Sequence, residues 1–224
     1  MRSNITVSIT LCLIAPLATA CSGSSSGREG VLRLDATTQT LQLNATFHRS
    51  NAQEGTWHLL VHKDGEMASL SYFTTDVSPL LFFEKLRALG VEDENTIDCD
   101  NMGAELATTQ GDLLEYSFAW DGSDGRVPLH DLLKEYVPDD SETPKRGLQM
   151  HFGGNHTGDD AKHPPAHDSG CLACLYTCCA GVTSNSQANL TLLRQENNVH
   201  RYRLRPDVQL ADRTRVQVFI RKKG

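Results

Sequence analysis

The 224-residue sequence has no surplus of basic charge, few aromatics, no internal repeat and no second long apolar run after its first twenty residues. Each shortage excludes something. Lys and Arg number 21 against 28 Asp and Glu, a net charge of -7, so the chain has no basic surface to hold a phosphate backbone and no nucleic-acid partner is expected. Aromatic residues make up 6% and hydrophobic residues 39%, lean for a globular domain yet well above a disordered composition. A Gly-x-Ser-x-Gly elbow, a phosphate-binding Gly loop, an H-E-x-x-H zinc signature and a paired-carboxylate constellation are all missing, so nothing designates an enzyme.

What is present begins at the N-terminus. Met1 and Arg2 precede an apolar run from Ile5 to Ala20, too short and too rich in Ala and Thr for a membrane span but suited to a signal-peptide core. The run ends Leu17-Ala18-Thr19-Ala20-Cys21 and is followed by a Ser/Gly stretch. Small residues before a Cys are similar to a bacterial lipoprotein cleavage site, which implies an acylated Cys21 as the mature N-terminus. More than one acyl chain makes such an anchor stable. The expected organisation is a signal peptide over 1–20, a tether over 21–30 and one domain over 31–224. The chain is then exported and held on a membrane, on the periplasmic or cell-surface side. A plain secretory peptide with an incidental Cys21 is the alternative. The basic end Arg221-Lys222-Lys223 reads as a solvated tail.

Hydrophobic periodicity gives the domain its elements. Leu41, Leu43, Ala45 and Phe47 alternate as a strand, paired with a shorter one around Leu32 and Leu34. Trp57 to His62 reads as a strand that turns through Asp64-Gly65 into a hairpin partner over Met67 to Phe73. Ser78, Pro79 and Gly90 frame one clear helix, with Leu80, Phe83, Leu86 and Leu89 on its apolar face. Leu113 to Trp120, Leu148 to Phe152, the surroundings of Tyr202 and Leu204, and Val216 to Ile220 read as strands, and His130 to Tyr136 as a short helix. Gly181 to Asn189 reads as a polar loop. These elements add up to an α+β class: one domain of antiparallel strands with one main helix and a loop-borne cysteine cluster.

That cluster is the densest chemistry in the chain. Cys171, Cys174, Cys178 and Cys179 lie within nine residues at C-x2-C-x3-C-C spacing, after a stretch holding His151, His156, His163 and His167. On a helix, at about 100° per residue, the first three sulfurs would share one face. A fourth ligand is then sought among Cys179, His167, His163 and the distant Cys99. Thiolate-rich sites select zinc, copper(I) or an iron-sulfur cluster. Two other readings compete: disulfides that staple a loop in a non-enzymatic interaction module, and thiol-disulfide exchange at Cys171 and Cys174. His58 and His62 are four apart but strand-borne, so helical chelation is not open to them.

The stretch Glu66 to Glu92, with Thr75-Asp76-Val77-Ser78-Pro79 entering a helix that ends Ala88-Leu89-Gly90, resembles the YdjY domain family. So do Tyr116 to Leu129, with Arg126-Val127-Pro128-Leu129, and Met150-His151-Phe152-Gly153-Gly154. The resemblance implies an exported bacterial protein without an assigned reaction. Some members are described as ferredoxin-like, which would place an iron-sulfur centre, and an electron-transfer partner protein, at Cys171, Cys174, Cys178 and Cys179.

Overall fold

The computed structural model describes residues 32–49, 51, 55–94, 97, 104, 107–136, 147–156, 168–189 and 201–224. In chain order the strands are β1 (Leu32–Asp35), β2 (Thr40–Phe47), β3 (His58–His62), β4 (Ser71–Thr75), β5 (Leu113–Ala119) and β6 (Val127–Pro128). They continue as β7 (Leu133–Tyr136), β8 (Met150–Phe152), β9 (Cys171–Cys174), β10 (Thr183–Asn185), β11 (Arg201–Leu204) and β12 (Arg215–Lys222). The main helix is α1 (Pro79–Ala88).

The expected α+β layering is not what forms. Strands pair in the order β2-β12-β5-β8-β10-β9-β3-β4, and β4 returns to β2 through Thr46 opposite Thr74 and Phe47 opposite Phe73. The ring therefore closes into an eight-stranded β-barrel. A sheet curls shut when every strand finds a partner on both edges, and eight strands leave an interior that side chains alone can fill. Strict alternation supplies the filling: Leu41, Leu43 and Phe47 of β2, Phe118 of β5, and Val216, Val218 and Ile220 of β12 are all buried. Phe73 stacks on Phe118 at 5.1 Å and tilts against Phe47 at 5.6 Å, so three aromatics plug the seam where the ring shuts. Outside the ring, β1 pairs with β2, β6 with β5, and β7 with β11.

Three local expectations also need correction. β4 runs parallel to β3, with His58 opposite Ser71 and His62 opposite Thr75, so residues 63–70 form a crossover and not a hairpin. Only Leu129–Leu132 is helical in the predicted short helix, and Leu133–Tyr136 joins β11 as a strand. The polar Thr183-Ser184-Asn185 is a fully buried strand between β8 and β9, because its hydroxyls and amide find partners. Tyr116 shares a 2.7 Å hydrogen bond with Thr183, whose Oγ1 lies 3.0 Å from the Leu172 carbonyl, and Asn185 donates to the Leu175 carbonyl. Buried polar groups are tolerated when paired in this way.

Helix α1 keeps its predicted frame. Ser78 Oγ accepts from the Leu81 amide at 3.3 Å, and Gly90 at φ +79° closes the far end. There Gly90 N donates to Arg87 O and Val91 N to Leu86 O, the paired bonds of a Schellman end. The buried face is Phe82 and Leu86, while Leu80 is 46% exposed. Among the described residues no helix is long and apolar enough to cross a membrane.

Candidate metal centre

Two of the four cysteines are not on a loop, while Cys178 and Cys179 follow in the turn after the strand. Cys171 to Cys174 is β9, a barrel strand with β3 on one side and β10 on the other. In a regular strand residues three apart point to opposite faces. Here the β3–β9 register slips twice: His58 faces Cys174, Leu60 faces Ala173, and Val61 faces Cys171. Each slip leaves one extra residue, Leu59 on β3 and Leu172 on β9. As a result two neighbours on each strand, Leu59-Leu60 and Leu172-Ala173, join the main core. The residues flanking them, Val61, Cys171 and Cys174, gather with Cys178 and Ala180 in a second apolar cluster. A bulge re-aims side chains in this way. It brings both cysteines of the C-x-x-C pair to the same side without a helix.

Above this face lies the 63–70 crossover, with Met67 and Ala68 packed on the cluster. Backbone bonds tie it to the entry of β9: His62 N to Gly170 O at 2.8 Å, Glu66 N to Asp168 O at 3.0 Å, and Met67 N to Ser169 O at 3.3 Å. The two segments touch through Gly65 and Gly170. A Cβ on Gly65 would sit 2.6 Å from Ser169 O and 2.7 Å from Gly170 Cα, closer than real contacts allow. The turn after β9 closes the remaining side. Thr177 N donates to Ala188 O, and the buried Asn155 donates from Nδ2 to Cys178 O at 3.1 Å. Asn155 Oδ1 is buried without a partner.

Within this enclosure His58 Nδ1 lies 3.5 Å from Cys171 Sγ, and these two atoms and Cys174 Sγ all fall within 4.8 Å of one another. Cys174 is the middle sulfur, hydrogen-bonded to both Cys171 and Cys178. Cys178 Sγ accepts from Ala180 N at 3.3 Å and has the Tyr176 hydroxyl at 3.6 Å. The electrostatics follow from these bonds. The Cys174 thiol, donating to Cys171, holds the Cys171 pKa well below the usual thiol range; burial opposes this and His58 reinforces it. The same donation, to Cys171 first and Cys178 second, pushes Cys174 up. Burial, the largest single effect, pulls His58 down, but its bond to Cys171 and the charges of Cys171 and Cys178 together outweigh it and the net shift is upward. The cluster is thus poised to present thiolate sulfur next to an imidazole.

The structure sorts the predicted ligands. Cys171, Cys174 and Cys178 are free and buried, so none of the three staples a loop through a disulfide. Cys179 is disulfide-bonded and has no thiolate to offer. His167, His163, Cys99 and the acylation candidate Cys21 lie outside the described residues. His151 turns to the Gly111 carbonyl, and His156 stacks on Phe83 at 3.8 Å. His58 is the candidate ligand that spacing could not find, because it is 113 residues from Cys171 and arrives by strand pairing alone.

A protein-family model described as YdjY domain matches residues 32–221. The Escherichia coli (strain K12) protein named "Uncharacterized protein YdjY" is 30% identical over 157 residues, covering 69% of this chain. The match spans 63% of that relative's own length. No solved structure matches.

Proposed function

Since this chain belongs to the YdjY domain family, and its barrel wall carries converging sulfur and imidazole donors, we propose that the domain is a soft-metal-binding module. The observation that carries the reading is the convergence of His58, Cys171 and Cys174 within 4.8 Å. The 3.5 Å between His58 Nδ1 and Cys171 Sγ is the gap expected between two ligands of one tetrahedral ion, given bonds of about 2.0 Å to nitrogen and 2.3 Å to sulfur. Cys178, in contact with Cys174, is the natural fourth donor and completes a Cys3His set. That set favours zinc or copper(I) over magnesium or calcium. A bound ion of this kind supplies either a structural cross-link or a carried metal, and the chain's own residues hold it away from water.

The wider reading is an exported lipoprotein anchored at Cys21, with the metal domain on a Ser/Gly tether. In an oxidising compartment neighbouring free thiols tend to become disulfides. Metal ligation gives three contacting thiols a reason to remain reduced. Burial of all three argues against exchange with a protein disulfide, since attack needs access.

The test is metal, acid-labile sulfide and free-thiol content of the full chain purified anaerobically in detergent. The expected result is one zinc or copper per chain without sulfide, lost in Cys174→Ser. A metal-free protein that takes up neither ion on reconstitution would discard the reading. Stoichiometric labile sulfide would replace the single ion with an iron-sulfur cluster and restore the electron-transfer role.

A further inference from the structure

The proposed donors are not equivalent, and the difference bears on how metal would be exchanged. Cys171, Cys174 and Cys178 are 1%, 0% and 3% exposed, whereas His58 is only half-buried. The sulfurs sit behind hydrogen-bonded backbone: the 62–67 to 168–170 ladder on one side and the turn held by Thr177 and Asn155 on the other. Gly181 presses from behind, where any Cβ would come within 2.9 Å of Cys174 Sγ. The side that His58 occupies is closed differently, by side-chain rings beside a single backbone bond from Leu175 N to Trp57 O at 2.7 Å among the described residues. Tyr176 stands edge-on to Trp57 at 6.0 Å and to His58 at 6.4 Å, and all three side chains are partly solvent-exposed.

Resting on the metal-binding reading above, we infer that His58 is the exchange ligand of this site and that the Trp57–His58–Tyr176 edge is its only working door among the described residues. Two physical arguments support this. A neutral imidazole is a weaker donor to a soft cation than an anionic thiolate, so His58 is the first group to let go. His58 can also swing by rotating its own side-chain torsions, on timescales open to partly exposed side chains. Releasing a sulfur instead requires opening the β3–β9 pairing, the crossover ladder or, for Cys178, the turn held by Thr177 and Asn155. The partner this arrangement fits is a soft-donor acceptor, a thiolate or imidazole chelator that approaches the rings and takes the coordination position His58 vacates. The three sulfurs then set affinity, and His58 sets the rate.

The experiment loads the full chain with Zn2+ anaerobically and follows release to a chromophoric chelator by stopped flow, beside metal stoichiometry and thermal unfolding of the metal-free protein. His58→Ala should still hold one zinc per chain and release it at least tenfold faster, with metal-free unfolding unchanged. Trp57→Ala, which opens the edge without removing a donor, should release severalfold faster at the same stoichiometry. Two outcomes overturn the inference while leaving the metal site standing. In one, His58→Ala releases zinc within twofold of the wild-type rate. In the other, it holds no zinc at all, which makes His58 as obligatory as the sulfurs. A wild-type chain that takes up no zinc fails at the earlier step and removes the metal reading itself.

Discussion

Asp112 shows how single side chains fasten this barrel. Its Oδ2 accepts from the Glu92 amide at 2.7 Å and pairs with Lys222 Nζ at 2.6 Å, so the segment after the helix, the start of β5 and the end of β12 meet at one carboxylate. Burial alone would raise its pKa, but the Lys222 and Glu92 bonds outweigh it and the net shift is below the ordinary value of 3.8. A carboxylate depressed on folding contributes stability above its unfolded pKa and loses it as pH falls through the folded value. Asp112→Asn should therefore destabilise the protein by about 1 kcal/mol at pH 7, and the gap should narrow below about pH 4. Urea midpoints at pH 7, 4 and 3 measure this; a gap that stays constant with pH would refute it. At this scale the sequence displayed the sulfurs plainly, since their spacing is local. It could not display His58, whose role depends on which strand β9 pairs with.

The element that most changes the picture is the 63–70 crossover. Lys63-Asp64-Gly65-Glu66 has the composition of a hairpin turn, and nothing in those residues says that the following strand will lie parallel. The parallel pairing is imposed by barrel closure, because β4 must reach β2 on its far edge. Strand positions were legible for the same reason that orientation was not: alternation marks buried faces, while direction is set by partners far away in the chain. Helix α1 was legible to its caps, because Ser78 and Gly90 act on their own backbone. Gly65 is the point where the crossover can be tested. Gly65→Ala drives a Cβ into backbone at 2.6 and 2.7 Å, so the crossover must lift off Ser169 and Gly170. The expected cost is about 1–3 kcal/mol in urea unfolding. Cys171, Cys174 and Cys178 should also react with a small alkylating reagent severalfold faster in the metal-free protein. Unchanged thiol reactivity would mean that the crossover is not their cover.

At the scale of the whole molecule, the α+β expectation failed because one helix and many strands fit two architectures equally well, and only long-range pairing distinguishes them. The pairing that decides is made by β12. It lies between β2 and β5, with Val218 opposite Leu43 on one side and Phe118 on the other. Removing residues 215–224 should abolish cooperative thermal unfolding, whereas removing only Lys223 and Gly224, beyond the strand, should leave a cooperative transition. A cooperative transition without β12 would show that the other strands can shut the ring themselves. The same placement has a consequence in time. A chain made from its N-terminus has β2 and β5 waiting for β12, so the ring cannot shut before residue 222 has emerged. Until then the polypeptide stays open, with β2 and β5 each lacking a partner along one edge.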